Sequence, residues 1–376
     1  MSSSVAKTEM SEFPQLQEQV TGYPWIIHPL FDFLFVFGGA FWIVVAASYC
    51  VLHWTVPTST TSGSLAEKIL WAIVLVMMNL SQHPHSSATY MRIYASEVDR
   101  KRFSFYNTWL AGICILLFFL GLTIPGLAAA MVYIVLLANL WHYASQCFGI
   151  SLIYCYKQGY NFRSYEREIL RWCVYLAAAL AIVRNLTFRE VGPTRYYSMQ
   201  LPFWGPLPQW LFGSLLAVFA ALSITLTIVL MRKLLLEKKA VPVPAFLCLG
   251  TGALLLVTTG NVSALLWTYA AGLFHGTQYL AVSLAYYLKE RGLPNNMPTS
   301  QISSLILQSS ALKYLGLVTL IGGFVFLAIP EVCQQFGFDY TLASGAILAA
   351  VNCHHFITDS AIWRLRDPQS RKILLA

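Results

Sequence analysis

Residues 209–233 read QWLFGSLLAVFAALSITLTIVLMRK, and no charged side chain interrupts the stretch between Gln209 and Arg232. That run exceeds the roughly 18 apolar residues that cross a bilayer. A helix is the form in which such a segment satisfies its own backbone in hydrocarbon. Several other stretches repeat the pattern. Of the 376 residues, 57% are hydrophobic and only 11% charged, and the mean hydropathy is +0.61. Sixteen acids and 24 bases cannot cover the surface of a soluble globule of this size. The composition therefore predicts an all-α, polytopic integral membrane protein. A formal net charge of +8 invites a nucleic-acid reading, but the bases stand in short clusters at the ends of apolar runs, where they act as topology signals. Nucleic acid is set aside as a partner.

Working outward from this run, the Gly, Pro and charged interruptions divide the chain into about ten expected spans: 30–53, 66–91, 106–122, 126–156, 169–186, 209–231, 244–260, 262–288, 311–329 and 341–363. The break between the seventh and eighth is only Thr259-Gly260-Asn261. With the N-terminus cytoplasmic, 20 of the 24 Lys and Arg fall on the cytoplasmic side, leaving Lys68, Arg184, Arg189 and Arg195 opposite. An odd number of spans would destroy that asymmetry, so both termini are expected in the cytoplasm. The organisation expected is a cytoplasmic segment at 1–29, a single helical membrane domain at 30–363 and a cytoplasmic tail at 364–376, with no appended soluble domain. The first 20 residues lack the basic start and short apolar core of a secretory signal. Eight scattered cysteines without a C-x-x-C pair suggest neither a disulfide framework nor a thiolate zinc site.

Ionisable groups at bilayer depth are costly and mark function. Here they are mostly histidines. His83 and His85 lie on span two, His142 on span four, His275 on span eight, and His354 and His355 on span ten. His28 stands at the entrance to span one with Asp32 a turn later, and His53 lies apart at its outer end. All four histidine-bearing spans run in the same direction. Their distances to the first cytoplasmic base differ, about 10 Å from His85 to Arg92 and about 22 Å from His142 to Lys157 at the helical rise. A fourth span that projects into the cytosol would bring the histidines toward one layer.

A lone buried histidine is most simply a packed core residue, and Asp32 and Asp359 have capping and pairing roles open to them. Neither reading explains six span histidines confined to four helices of one direction. The pairs His355/Asp359 and His28/Asp32 are spaced i, i+4 and share a helix face, as metal ligands would. The expected ligands are His85, His142, His275, His354, His355 and Asp359, then His28, Asp32 and His83. His83 and His85 are about 200° apart on an ideal helix, so both can face inward only if Pro84 distorts the turn. Gln146, Gln278 and Tyr279, three or four residues from His142 and His275, are expected to orient those rings. Spans four and eight are also weakly alike: Leu140-Trp141-His142 with Tyr154 and Lys157 parallels Leu273-Phe274-His275 with Tyr286 and Lys289.

Imidazoles with a carboxylate and no thiolates suit iron, zinc, copper or manganese. Neither H-E-x-x-H nor G-x-S-x-G occurs, which disfavours hydrolysis. The expectation is a metal-dependent membrane oxidoreductase: an oxygenase, hydroxylase or desaturase holding one or two non-haem irons. Its partners would be dioxygen, a lipophilic substrate from the surrounding membrane lipids and a cytoplasmic electron donor. In composition such a site resembles the histidine-rich membrane hydroxylases and desaturases, whose H-x3-4-H and H-x2-3-H-H motifs this chain does not carry. Two other readings stand beside it. One is an electron-transfer protein with haem b clamped by His142 and His275; the other is a proton-coupled transporter, although the sequence shows no evident broken helix pair.

Overall fold

The computed structural model describes residues 23–52, 65–258, 264–294 and 297–376. His53, Lys7, most of the expected N-terminal segment and the break at Thr259-Gly260-Asn261 lie outside the described residues, as does the side chain of Trp267. The chain is predominantly helical: α1 Pro29–Phe35, α2 Gly39–Leu52, α3 Leu65–Ile93, α4 Glu97–Arg102, α5 Tyr106–Thr123, α6 Pro125–Lys157, α7 Ser164–Thr187, α8 Gln209–Glu237, α9 Val243–Thr258, α10 Ala264–Glu290, α11 Ser309–Gln335, α12 Tyr340–Ile362 and α13 Pro368–Leu375. Antiparallel strands β1 (Arg195–Tyr196) and β2 (Met199–Gln200) pair Arg195 with Gln200 and Tyr196 with Met199. This hairpin covers the start of α12, where Tyr196 Oη meets Ser344 Oγ at 3.0 Å.

Among the described residues, five helices, α5, α6, α7, α8 and α11, are long and apolar enough to cross a membrane, and α1 with α2 adds a sixth if the pair, bent by 52°, counts as one span. The histidine-bearing α3, α10 and α12 are not among them. These helices carry buried polar groups: Ser81, Ser86, Ser87 and Thr89 on α3, Gln278 and Ser283 on α10, and Asn352, Thr358 and Asp359 on α12. Apolarity is spent on helices that face outward, and α8 is the extreme case, with 0% of its most apolar window buried.

The bent pair α1/α2 is a feature the sequence did not reveal. Gly38 turns the chain with φ +90°, a conformation that suits glycine. The carbonyls freed at the bend are taken up by other helices. Gln278 Nε2 donates to Val36 O at 2.8 Å and Thr251 Oγ1 to Phe37 O at 2.8 Å, while Thr277 Oγ1, nearer to Leu273 O of its own helix at 2.8 Å, stands 3.2 Å from Phe35 O.

Close helix contacts set the position of α3. A Cβ on Gly276 of α10 would stand 2.7 Å from Ser81 O, and one on Gly322 of α11 would stand 2.6 Å from the His83 carbonyl carbon. Two helices thus press on opposite sides of the turn that holds His83-Pro84-His85. Among the described residues, the pairs that lock the fold lie at one end of the bundle: Arg92–Asp99 at 3.0 Å, Lys233–Glu166 at 2.6 Å, Arg163–Glu237 at 2.7 Å and Arg102–Asp367 at 2.7 Å.

At that end α6 and α10 extend 15 residues past His142 and His275, whereas α3 and α12 stop eight and seven residues past His85 and His355. The unequal depths expected from the sequence resolve in this way. Both α6 and α10 project beyond their neighbours by about 10 Å, rather than the fourth span alone. The short helices α4 and α13 follow the shorter α3 and α12, and α13 packs on α6 and α10. Lys157 and Lys289, the parallel bases of those two helices, both donate to Ala376 O at 2.6 Å.

Candidate metal centre

Four imidazoles from four helices meet in the interior. His85 of α3 stands with its ring centroid 4.8 Å from His275 of α10 and 4.7 Å from His355 of α12. His142 of α6 closes the ring, 4.8 Å from His275 and 4.9 Å from His355. Neighbouring rings are crossed by 70° to 84° rather than stacked, so they present edges toward a shared space. Asp359, one turn beyond His355, brings Oδ2 to 3.5 Å from His355 Nε2 and 3.8 Å from His142 Nε2. These residues form two overlapping triads, His85/His275/His355 and His142/His355/Asp359, each with ligand atoms within 4.8 Å of one another.

The hydrogen bonds around the ring fix which nitrogens are free. His85 Nδ1 donates to the Gln82 carbonyl oxygen of its own helix. His355 Nδ1 meets Thr89 Oγ1 at 2.7 Å, and the same hydroxyl donates to Asp359 Oδ1 at 3.0 Å. The Thr89 hydroxyl also meets Tyr279 Oη at 2.7 Å, so one side chain ties His355, Asp359 and Tyr279 together. In His85, Nδ1 carries hydrogen and Nε2 keeps a lone pair. A metal-binding histidine is typically held in this way, with its other nitrogen anchored to a carbonyl, carboxylate or hydroxyl. Among the described residues, the buried nitrogens of these four imidazoles without a hydrogen-bond partner are His85 Nε2, His142 Nε2, His355 Nε2 and both nitrogens of His275. A buried polar atom left unpaired costs about 1–3 kcal/mol, and here at least four share one space. A cation accepting those lone pairs removes the penalty, and the donor set, imidazole with one carboxylate, fits a divalent transition metal.

A second layer holds the carboxylate. Tyr279 Oη donates to Asp359 Oδ1 at 2.8 Å and accepts from Trp363 Nε1 at 3.0 Å. Phe356 stacks on His142 at 4.3 Å, and Tyr143 lies 4.3 Å from His275. His142 is the least covered of the four imidazoles, its side chain 11% exposed, while His85, His275 and His355 are 1% exposed or less.

Of the expected ligands, the structure brings together His85, His142, His275, His355 and Asp359. Four others stand elsewhere. His83 stacks on Phe326 of α11 at 4.7 Å, because α3 stays helical through Pro84 and leaves the two histidines on opposite sides. His354 faces away from the ring, its Nε2 paired with Tyr106 O at 2.9 Å and its plane stacked on Tyr90. His28 caps α1, its Nδ1 accepting from the Leu30 amide. Asp32 is spent on the same turn, where it accepts from the amides of Ile26 at 2.7 Å and Ile27 at 3.1 Å and from Tyr154 Oη at 2.7 Å.

Gln146 and Gln278 do not orient the imidazoles as expected. Gln146 Nε2 donates to Gln278 Oε1 at 2.6 Å and to the His275 carbonyl at 3.2 Å, so the pair holds backbone, not rings. Tyr279 serves Asp359 rather than His275. Thr89 and Gln82 were not anticipated, and Trp363 was expected only as an aromatic of the membrane interface. Thr89 lies one turn beyond His85, on the same helix face, and that spacing was the available signal.

No protein-family model, curated protein or solved structure matches the chain.

Proposed function

We propose that this chain is a ten-span integral membrane protein with both termini cytoplasmic, built around a non-haem metal centre that oxidises a lipophilic substrate with dioxygen. The observation that carries the reading is the set of inward, unpartnered imidazole nitrogens on four helices, beside one carboxylate. The metal would be held by His85, His142, His275 and His355, with Asp359 as the carboxylate, and iron is the proposed ion, one or two per chain. When bound, it would supply redox chemistry toward dioxygen in a water-poor site. The chain's own residues do the rest. Gln82 and Thr89 hold His85 and His355 with their Nε2 lone pairs inward, Tyr279 and Thr89 hold Asp359, and the packed α3, α10 and α12 exclude water.

The edge at His142, the least covered of the four imidazoles and flanked by Phe356 and Tyr143, is the side from which an apolar substrate would approach laterally. The orientation is supported by the end of the bundle where the ion pairs and the bases Arg92, Lys157 and Lys289 gather, consistent with the bias of Lys and Arg toward cytoplasmic loops. A cytoplasmic electron donor belongs to this reading. Haem b is disfavoured by the packing: four rings less than 5 Å from their neighbours leave no gap for a macrocycle between His142 and His275. An ion site at the bent α1/α2 pair is disfavoured because Thr251 and Gln278 already occupy the Phe37 and Val36 carbonyls.

The test is dioxygen consumption by the purified, iron-loaded protein in lipid nanodiscs, with reductant and a membrane lipid extract. Substrate-dependent uptake that disappears in His142→Ala supports the reading. Uptake equal to that of empty nanodiscs with every lipid class, from a fully iron-loaded protein, contradicts it.

A further inference from the structure

Asp359, Tyr279 and Trp363 form a directed line of donors. Trp363 Nε1–H points to Tyr279 Oη at 3.0 Å, and Tyr279 Oη–H points to Asp359 Oδ1 at 2.8 Å. The line begins at the metal triads and ends at the half-buried Trp363, the residue that caps the C-terminus of α12 near the polar end of the bundle. The Tyr279 ring lies 5.3 Å from His355 and 5.7 Å from His85. Trp363 follows at 5.8 Å from Tyr279, and Tyr286 at 5.4 Å from Trp363. Tyr286 Oη accepts from Arg92, which is paired to Asp99 and neighbours Glu290 at 3.7 Å. Tyrosine and tryptophan are the side chains most readily oxidised by one electron without bond cleavage. A phenol gives up its electron easily only if its proton can leave at the same moment, and Tyr279 has an acceptor in hydrogen-bond contact. A purely structural Tyr–Asp bond would not need a tryptophan N–H behind it with a path of rings to the bundle end.

Resting on the metal reading above, we propose that Tyr279 and Trp363 are a one-electron relay that lets oxidising equivalents leave the centre when no substrate is bound, with a cytoplasmic thiol as the terminal reductant. In the first step Tyr279 passes one electron to the oxidised centre and its phenolic proton to Asp359 Oδ1, becoming a neutral tyrosyl radical. Trp363 then returns one electron and its Nε1 proton to Tyr279 Oη, which restores the phenol and leaves a neutral indolyl radical. A thiol gives one electron and one proton to Trp363, and two thiyl radicals combine to a disulfide. With hydrogen peroxide as the oxidant, Asp359 hands each proton on to the peroxide oxygens before the next pass, so two passes move two electrons and two protons, and the balance is H2O2 + 2 RSH giving RSSR + 2 H2O. Tyr286 extends the path toward Arg92.

The experiment uses the full chain loaded with ferrous iron in detergent, with iron per chain measured on every sample. Hydrogen peroxide is added without thiol, the sample is frozen, and its electron paramagnetic resonance spectrum is recorded. The expected result is a tyrosyl radical, because at neutral pH the phenol is easier to oxidise than the indole and without thiol the hole rests on Tyr279; its hyperfine pattern collapses when the protein is made with ring-deuterated tyrosine, and it is absent from Tyr279→Phe. In Trp363→Phe the tyrosyl signal persists and its decay on adding glutathione slows at least tenfold. A signal that survives in Tyr279→Phe, or a decay unchanged in Trp363→Phe, overturns the relay. An iron-loaded wild type that yields no tyrosyl radical does so without touching the metal reading, whereas a wild type that binds no iron removes the centre and the relay together. Deuterated wild-type protein decides the assignment even if a variant fails to fold.

Discussion

Thr89 and His355, 266 positions apart in the chain, meet through Oγ1 and Nδ1 at 2.7 Å inside the bundle. The contact anchors the imidazole ring and, through the same hydroxyl, ties it to Asp359 and Tyr279. Thr89→Val keeps the shape and removes the hydroxyl. Metal affinity, read by competition with a chelator, is expected to fall about 10- to 100-fold, the usual cost of losing a group that orients a ligand. An unchanged affinity would mean that His355 needs no anchor and that the ring is not a ligand.

Asp32 is a counter-example to reading every buried carboxylate as a ligand. Its oxygens are taken by the Ile26 and Ile27 amides and by Tyr154, so Asp32→Ala strands buried donors at the entry to α1. The melting temperature in detergent should drop, reflecting about 3 kcal/mol or more of lost stability, while the metal content of the folded protein stays at the wild-type value. Loss of metal at full thermal stability would place Asp32 in the centre after all.

Much of this was legible in the chain, and the limits have physical causes. Apolar runs such as 209–231 give helices because hydrocarbon leaves the backbone no alternative. The co-directional histidines anticipated a common site, and His85, His142, His275 and His355 do meet. His83 and His354 were misplaced because adjacency on a helix says nothing of which side a neighbour covers; here Phe326 and Tyr90 claim those rings. Thr89 escaped notice because it is not ionisable, and Trp363 was expected only as packing at the membrane interface; their roles arise only from contacts between distant helices. The bend at Gly38 was missed for the same reason: its carbonyls are satisfied by side chains of α9 and α10.

Gly276 lets α10 approach α3 closely enough to bring His275 against His85, since a Cβ there would meet the Ser81 carbonyl at 2.7 Å. Gly276→Val should push the two helices apart, destabilise the protein by about 1–3 kcal/mol and reduce metal occupancy. Gly213→Val on α8, where a Cβ meets nothing within 4 Å, should do neither. Equal thermal shifts in the two variants would remove close packing as the cause.

The Arg102–Asp367 pair, 2.7 Å apart, joins α4 to the start of α13. Partial burial pushes the Asp367 carboxyl up, but hydrogen bonds from the Arg102 guanidinium and the Ser370 amide outweigh it and hold the group below its ordinary range. A lowered folded value means that the stabilisation is complete above the unfolded carboxylate value, near 4, and fades as pH falls through the lowered one. Hydrogen exchange of the 368–375 amides should therefore be protected at neutral pH and lose relative protection in acid, below about pH 4. Arg102→Ala should move that loss to higher pH; an identical profile in the variant would show that the pair does not hold α13.

The central claim is that four particular histidines hold a metal, and the direct measurement is metal per chain by mass spectrometry, with an absorption spectrum, on protein purified in mild detergent without chelator. Wild type, His83→Ala and His354→Ala should each carry one or two irons per chain with no Soret band, and His142→Ala and His275→Ala should carry none while remaining folded. Full metal retention in both His142→Ala and His275→Ala, or a metal-free wild type after reconstitution with ferrous iron, would contradict the account.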